Sequence, residues 1–172
     1  MLKMLGCCLV LFACVRTGTL LKSSLKRREK ELTAFLCALQ SLETEISYGV
    51  TPLPAALQTA GKAAGGTIGK FFWQTGKSLQ ETKGKTSAEI WQEQLSQFQD
   101  ELTLQLDDLE LIRKFGIGLG TSDVKDQIKR IQLLAVQVRQ RIDAAAEKWD
   151  KMGKVYLGLS WGVGMVVVLL WI

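Results

Sequence analysis

The chain has 172 residues, 47% of them hydrophobic, with 22 Lys and Arg against 17 Asp and Glu and a formal net charge of +5. It contains no histidine and only two prolines. Without histidine the usual general base at neutral pH and the commonest metal ligand are missing, which excludes serine–histidine and cysteine–histidine catalysis and His-containing zinc sites. The apolar fraction and mixed charge exclude a disordered chain, and the length sets one ordinary domain as the expectation.

Charge is distributed unevenly. Residues 31–147 hold 12 basic and 15 acidic side chains, a net −3. Two basic patches flank that middle: Lys22, Lys26, Arg27, Arg28 and Lys30 before it, Lys148, Lys151 and Lys154 after it. A nucleic-acid binder carries its basic face on the folded part, so no nucleic-acid partner is expected here. Basic flanks beside apolar termini suit a membrane surface and a lipid partner.

The first apolar stretch, Met4 to Val15, is short for a spanning helix, which wants about 20 residues. Leu2 to Leu21 reaches that length by including Arg16, whose long side chain can snorkel to the headgroups. A retained membrane anchor and a cleaved signal peptide are both open; the weak basic start and the lack of a clear small-residue cleavage site favour the anchor.

Glu31 to Tyr48 draws one helical stripe through Leu32, Phe35, Leu39, Leu42 and Ile46. Tyr48-Gly49 is expected to end that helix, with glycine in the left-handed cap. Thr51 then offers an N-cap and Pro52 suits the first helical position. This second helix runs to the Gly65-Gly66 break. Thr67 is the expected cap of a third helix carrying Ile68, Phe71, Phe72 and Trp73. Thr86 with Glu89 forms a capping box ahead of Trp91, Leu95 and Phe98. Leu102 to Phe115 reads as a further helix or pair of turns, broken by Gly116, Gly118 and Gly120.

The last helix has the strongest pattern. Val124, Ile128, Ile131, Ala135, Val138, Ile142, Ala145, Trp149, Met152 and Tyr156 alternate steps of four and three, a heptad seam. Thr121 is the expected N-cap, with Asp123 in the first turn. The seam serves either packing within the chain or a homo-oligomer. It leads into Val155–Ile172, 18 residues without a charge, which read as a tail-like transmembrane anchor rather than a buried core helix. Gly158 and Gly162 share a face where another helix can approach.

The expected fold is all-α: an antiparallel helical bundle whose first and last helices pair, with N- and C-terminal transmembrane helices. The parts are 1–21, 22–154 and 155–172. Both basic patches face the middle, so the positive-inside rule puts 22–154 in the cytoplasm and makes a membrane hairpin. Cys7, Cys8 and Cys14 then lie in the membrane and Cys37 in a reducing compartment, where disulfides are not expected.

No chemistry emerges from the motifs, and neither an enzyme nor a cofactor or metal site is expected. Ala64-Gly-Gly-Thr-Ile-Gly69-Lys70-Phe71 fails as a phosphate loop, because Ala64 replaces the first glycine and Phe71 the magnesium-binding hydroxyl. Gly116-Ile-Gly-Leu-Gly120 lacks a preceding strand. Glu43 and Glu45 point to different helix faces. Asp107, Asp108 and Glu110 read as a solvated face. Trp73 and Trp91 read as core or interface anchors.

Two runs carry a resemblance. Ser41-Leu-Glu-Thr-Glu-Ile-Ser-Tyr-Gly-Val-Thr-Pro-Leu-Pro54 is similar to the Leu-Glu-x-Glu-Ile-x-Tyr-Gly-x-Thr-Pro-Leu run of the stage III sporulation protein AB family of endospore-forming bacteria. Phe115-Gly-Ile-Gly-Leu-Gly-Thr-Ser-Asp-Val-Lys-Asp-Gln-Ile128 resembles the family's second run. The resemblance covers nearly the whole chain, including the order of apolar segment, bundle and apolar anchor. It implies a bundle like the cytoplasmic domain of type II secretion and type IV pilus platform proteins. It implies a place on the mother-cell side of a channel complex joining mother cell and forespore. A secretion-type sporulation ATPase and other channel-complex membrane subunits are the partners it suggests. The docking candidates are Glu43, Glu45, Tyr48, Gly49, Thr51 and Pro52 on the first run and Gly118, Gly120, Asp123 and Gln127 on the second; the glycines and the proline are equally accounted for by backbone geometry.

Overall fold

In a computed structural model the chain is all-α. The structure describes the backbone of residues 2–49, 51–82, 84–120 and 123–169 and, within those, the side chains of residues 23–148. The helices are α1 Leu2–Ser47, α2 Leu53–Ala64, α3 Gly66–Glu81, α4 Ser87–Phe98, α5 Leu106–Ile117 and α6 Val124–Leu169, with a single 3-10 turn at Gln99–Glu101. The membrane segments expected at 1–21 and 155–172, and the seam positions from Trp149 onward, lie outside the described side chains. Among the described residues no helix is long and apolar enough to cross a membrane.

The helices alternate in direction. Glu43 on α1 accepts a hydrogen bond from Gln132 on α6 (2.7 Å), and Arg28, fifteen residues earlier, shares Asp108 with Arg141, nine residues later. α1 and α6 are therefore antiparallel, and the seam between Ile128 and Ala145 packs within the chain: Ile131, Val138 and Ala145 are buried, and the stripe Leu32, Phe35, Leu39, Leu42 and Ile46 is buried with them, while the first seam residue, Val124, is exposed. Continuous apolar spacing on both helices is what lets them pair along their length.

The α2–α3 hairpin lies against α1. A Cβ on Gly61 would sit 2.6 Å from the Gly69 carbonyl oxygen, so these two helices touch backbone to backbone. Gly65 (φ +64°) and Gly66 (φ +58°) make the turn between them, in a region that side chains rarely adopt. Phe71, Phe72 and Trp91 fill the space between α1, α3, α4 and α5, with Phe71 and Trp91 ring centroids 4.8 Å apart and edge to face. Trp91 is fully buried, so its indole N–H needs a partner; it donates to the Ile112 carbonyl at 3.0 Å. Gly116 permits that approach, because a Cβ there would overlap the indole.

Several expected local features differ. Gly49 is not left-handed; it is small because the turn folds tightly, and a Cβ at this position would fall 2.6 Å from Thr51 Oγ1. Thr51 does not cap α2, since its hydroxyl donates to Glu45 Oε2 (2.7 Å), and Pro52 itself is the N-cap residue, so the helix starts one residue later than expected. Thr67 lies inside α3, whose N-cap is Gly65. The 102–115 helix begins only at Leu106, because Leu102 and Leu104 are buried in an extended connection. Asp123 precedes α6 rather than lying in its first turn, and its carbonyl accepts from Gln127 N–H (2.9 Å); the expected cap Thr121 lies outside the described residues. Trp73 is partly exposed beside Lys77. The Thr86–Glu89 capping box is present in both directions, and its bond from the Thr86 N–H holds the Glu89 carboxyl below its ordinary pKa.

Candidate functional site

α1 and α6 run antiparallel, so the register set by Glu43 and Gln132 carries Tyr48, five residues on, level with Gln127, five residues back. The two runs singled out in the sequence therefore meet at the end of the bundle farthest from both termini. On the first, Glu45 pins the turn by accepting from Thr51, and Tyr48 N–H closes on the Thr44 carbonyl (3.0 Å). On the second, buried Leu119 plugs the core and Gly120 turns at φ +75°. A Cβ on Gly120 would lie 3.1 Å from Leu53 Cδ2 and 2.7 Å from Ser87 Oγ, so this turn sits on the starts of α2 and α4.

Of the ten candidates, Tyr48, Gly49, Pro52, Gly120 and Asp123 are exposed. Glu43, Glu45, Thr51 and Gln127 are half-buried, and Gly118 is buried with the Arg130 side chain over it. Gly118 therefore shapes the surface and does not present itself to a partner. Exposed apolar side chains gather at the same end: Tyr48 is 86% exposed, Ile117 55% and Val124 52%. Leu133 and Val136, three apart on one face of α6, are exposed as well. Sequence reasoning passed over Ile117, Leu133 and Val136; the signal for the last two is an apolar pair lying off the seam.

A cleft at this end, lined by Phe115, Gly118 and Gln127 among others, has a volume of about 10 Å³. Small-molecule pockets run to several hundred Å³, far above this volume.

A second cluster was misread from sequence. Asp108 is not on a solvated face; it is 1% exposed. Its Oδ2 accepts from Arg28 Nε (2.7 Å) and Gln105 N–H (3.0 Å), and its Oδ1 from Arg28 Nη2 (3.0 Å) and Arg141 Nη1 (2.8 Å). Burial pushes the carboxyl up, but the Arg28 guanidinium, the Gln105 N–H and Arg141 outweigh it and hold the pKa below the ordinary value. With both oxygens taken by arginines, Asp108 is not placed to bind a metal with Asp107 and Glu110. The signal was spacing: Arg28 lies four before Leu32 on the α1 stripe, and Arg141 lies three after Val138.

The family described as Stage III sporulation protein AB (spore_III_AB) matches residues 3–172. The chain belongs to that family. Stage III sporulation protein AB of Bacillus subtilis (strain 168) is 32% identical over 171 residues, 99% of each chain. A solved structure, Stage III sporulation protein AB (SpoIIIAB), matches with a TM-score of 0.66 at 28% identity, covering 72% of this chain and 97% of its own. The family resemblance expected from the Ser41–Pro54 and Phe115–Ile128 runs thus holds over the full length.

Proposed function

We propose that this family member is a non-enzymatic platform subunit of the mother cell–forespore channel complex. Segments 1–21 and 155–172 anchor it in the cell membrane, and the bundle, 22–154, stands in the mother-cell cytoplasm and docks a secretion-type ATPase. One observation carries the reading. The two family runs converge at the bundle end remote from the apolar termini, where Tyr48, Ile117 and Val124 are exposed beside Asp123. An apolar surface facing away from the bilayer is the one a cytoplasmic partner can reach, and aromatic anchors dominate such contacts.

The test is co-purification of the full chain from mildly solubilised membranes with a secretion-type sporulation ATPase, then titration of the pair. Saturable binding at moderate salt is expected. Tyr48→Ala and Asp123→Lys are each expected to weaken it about tenfold with helicity unchanged. Full affinity in both variants would remove this end as the docking face. The burial of Ile131, Val138 and Ala145 within the chain supports the platform over a self-assembling scaffold joined through that part of the α6 seam.

A further inference from the structure

At the opposite end of the bundle an open cleft of about 320 Å³ lies between α1 and the α2–α3 turn. Arg27, Lys30 and Glu31 line one wall and residues 64–68 the other. We propose that this cleft seats the phosphate headgroups of an anionic lipid surface, so that the bundle rests on the membrane through its α2–α3 turn. The proposal rests on the anchoring reading above.

Three observations carry it. First, the cleft has a net positive charge, with Arg27 and Lys30 against Glu31. Arg27 and Lys30 are exposed and have no partner among the described residues. Glu31, the only acid in the lining, is occupied by the Thr103 N–H at 2.7 Å. The backbone contact of Gly61 with Gly69 brings their neighbours, the exposed Lys62 and Lys70, onto adjoining helices beside the same turn. Asp100 and Glu101 in the α4–α5 connection and Asp107 in the first turn of α5, at this end too, are not in the lining.

Second, the turn is unobstructed. A Cβ on Gly65 or Gly66 would meet no atom within 4 Å, so a flat surface can approach it. Third, the cleft lies near the apolar terminus. α1 is one continuous helix from Leu2 to Ser47, and at the α-helical rise Arg27 stands about 9 Å beyond Leu21 along the axis. That is on the order of one Debye length, roughly 8–10 Å, within which cations feel a charged bilayer.

The full chain is purified in a mild nonionic detergent with dioleoyl phosphatidylglycerol or dioleoyl phosphatidylcholine added, and lipid retained per chain is counted by native mass spectrometry. Phosphatidylglycerol is expected in excess. Arg27→Gln/Lys30→Gln is expected to lower that excess roughly tenfold, while Lys125→Gln/Lys129→Gln, equal in charge but at the other end, leaves it unchanged. Absence of an excess, or an excess indifferent to Arg27→Gln/Lys30→Gln, overturns the proposal. Displacement of the lipid by millimolar inorganic phosphate also overturns it and assigns the cleft to a free anion. Carbonate extraction from phosphatidylcholine vesicles separates the two readings. A chain that resists extraction but shows no lipid preference sinks the headgroup seat alone; one that washes off yet retains phosphatidylglycerol through Arg27 and Lys30 sinks the anchoring alone.

Discussion

Four hydrogen bonds end on the two oxygens of Asp108, three of them from arginines on α1 and α6. The Asp108 side chain is fully buried and that of Arg28 nearly so. Replacing such a pair with apolar groups can be neutral, but removing one partner strands the other charge, at about 3–5 kcal/mol. Asp108→Asn keeps the shape and leaves Arg28 buried without its counter-charge, so a loss of about 3 kcal/mol is expected by urea unfolding in mild detergent at pH 7. The pH dependence has a definite sign. The folded pKa of Asp108 is depressed, so its contribution is fully present above the unfolded value of about 3.9 and is lost as pH falls through that value toward the lower folded one. The wild-type midpoint should therefore fall between pH 5 and pH 2 more steeply than that of Asp108→Asn. Parallel curves would show that Asp108 is not the titrating group.

At the level of single helices, local chemistry decides some ends and packing decides others. α4 begins where Thr86 and Glu89 satisfy each other's backbone N–H groups. Thr86→Ala removes one half of that box and is expected to cost about 1 kcal/mol, read as a lowered unfolding midpoint with unchanged helical content. α2 and α3 have no side-chain caps. Their start positions are set by Pro52 and by the paired glycines 65 and 66, while Thr51 and Thr67, the residues that look like caps, are used otherwise or not at all. A short polar residue before a helix offers a cap, but the hydroxyl goes to whichever acceptor the fold brings closest, and for Thr51 that is Glu45.

For the molecule as a whole, the pairing of α1 with α6 organises everything else. It joins the two ends of the described chain, buries both apolar stripes and carries the Glu43–Gln132 and Arg28–Asp108–Arg141 contacts at its two ends. In a chain with Cys7, Cys8, Cys14 and Cys37 replaced, Glu43→Cys with Gln132→Cys and a short bismaleimide should crosslink within one chain. The product is expected to run as a monomer on a denaturing gel at every protein concentration. A dimer band would mean that the helices exchange between copies. The same pairing gives the bundle two unlike ends, one with free cations beside the termini and one with exposed apolar side chains and the two family runs.

Periodicity was enough for the all-α class, the α1 stripe and the α6 seam, because each is a one-dimensional pattern that a helix converts directly into a buried face; the capping box was legible as a local motif, and the family through the resemblance of two short runs. The seam's partner was open in the sequence, and only the tertiary structure decided it, since an apolar face records that it is covered and not by what. The helix start at Leu106 and the burial of Asp108 were invisible for a related reason. An extended apolar stretch such as Leu102–Leu104 looks helical until the core claims it, and a carboxylate reads as solvated unless its counter-charges are known, here from residues 80 and 33 positions away. The convergence of Tyr48 with Gly120 and Asp123 belongs to the same class, because it depends on the antiparallel register of two helices whose contact no local spacing specifies.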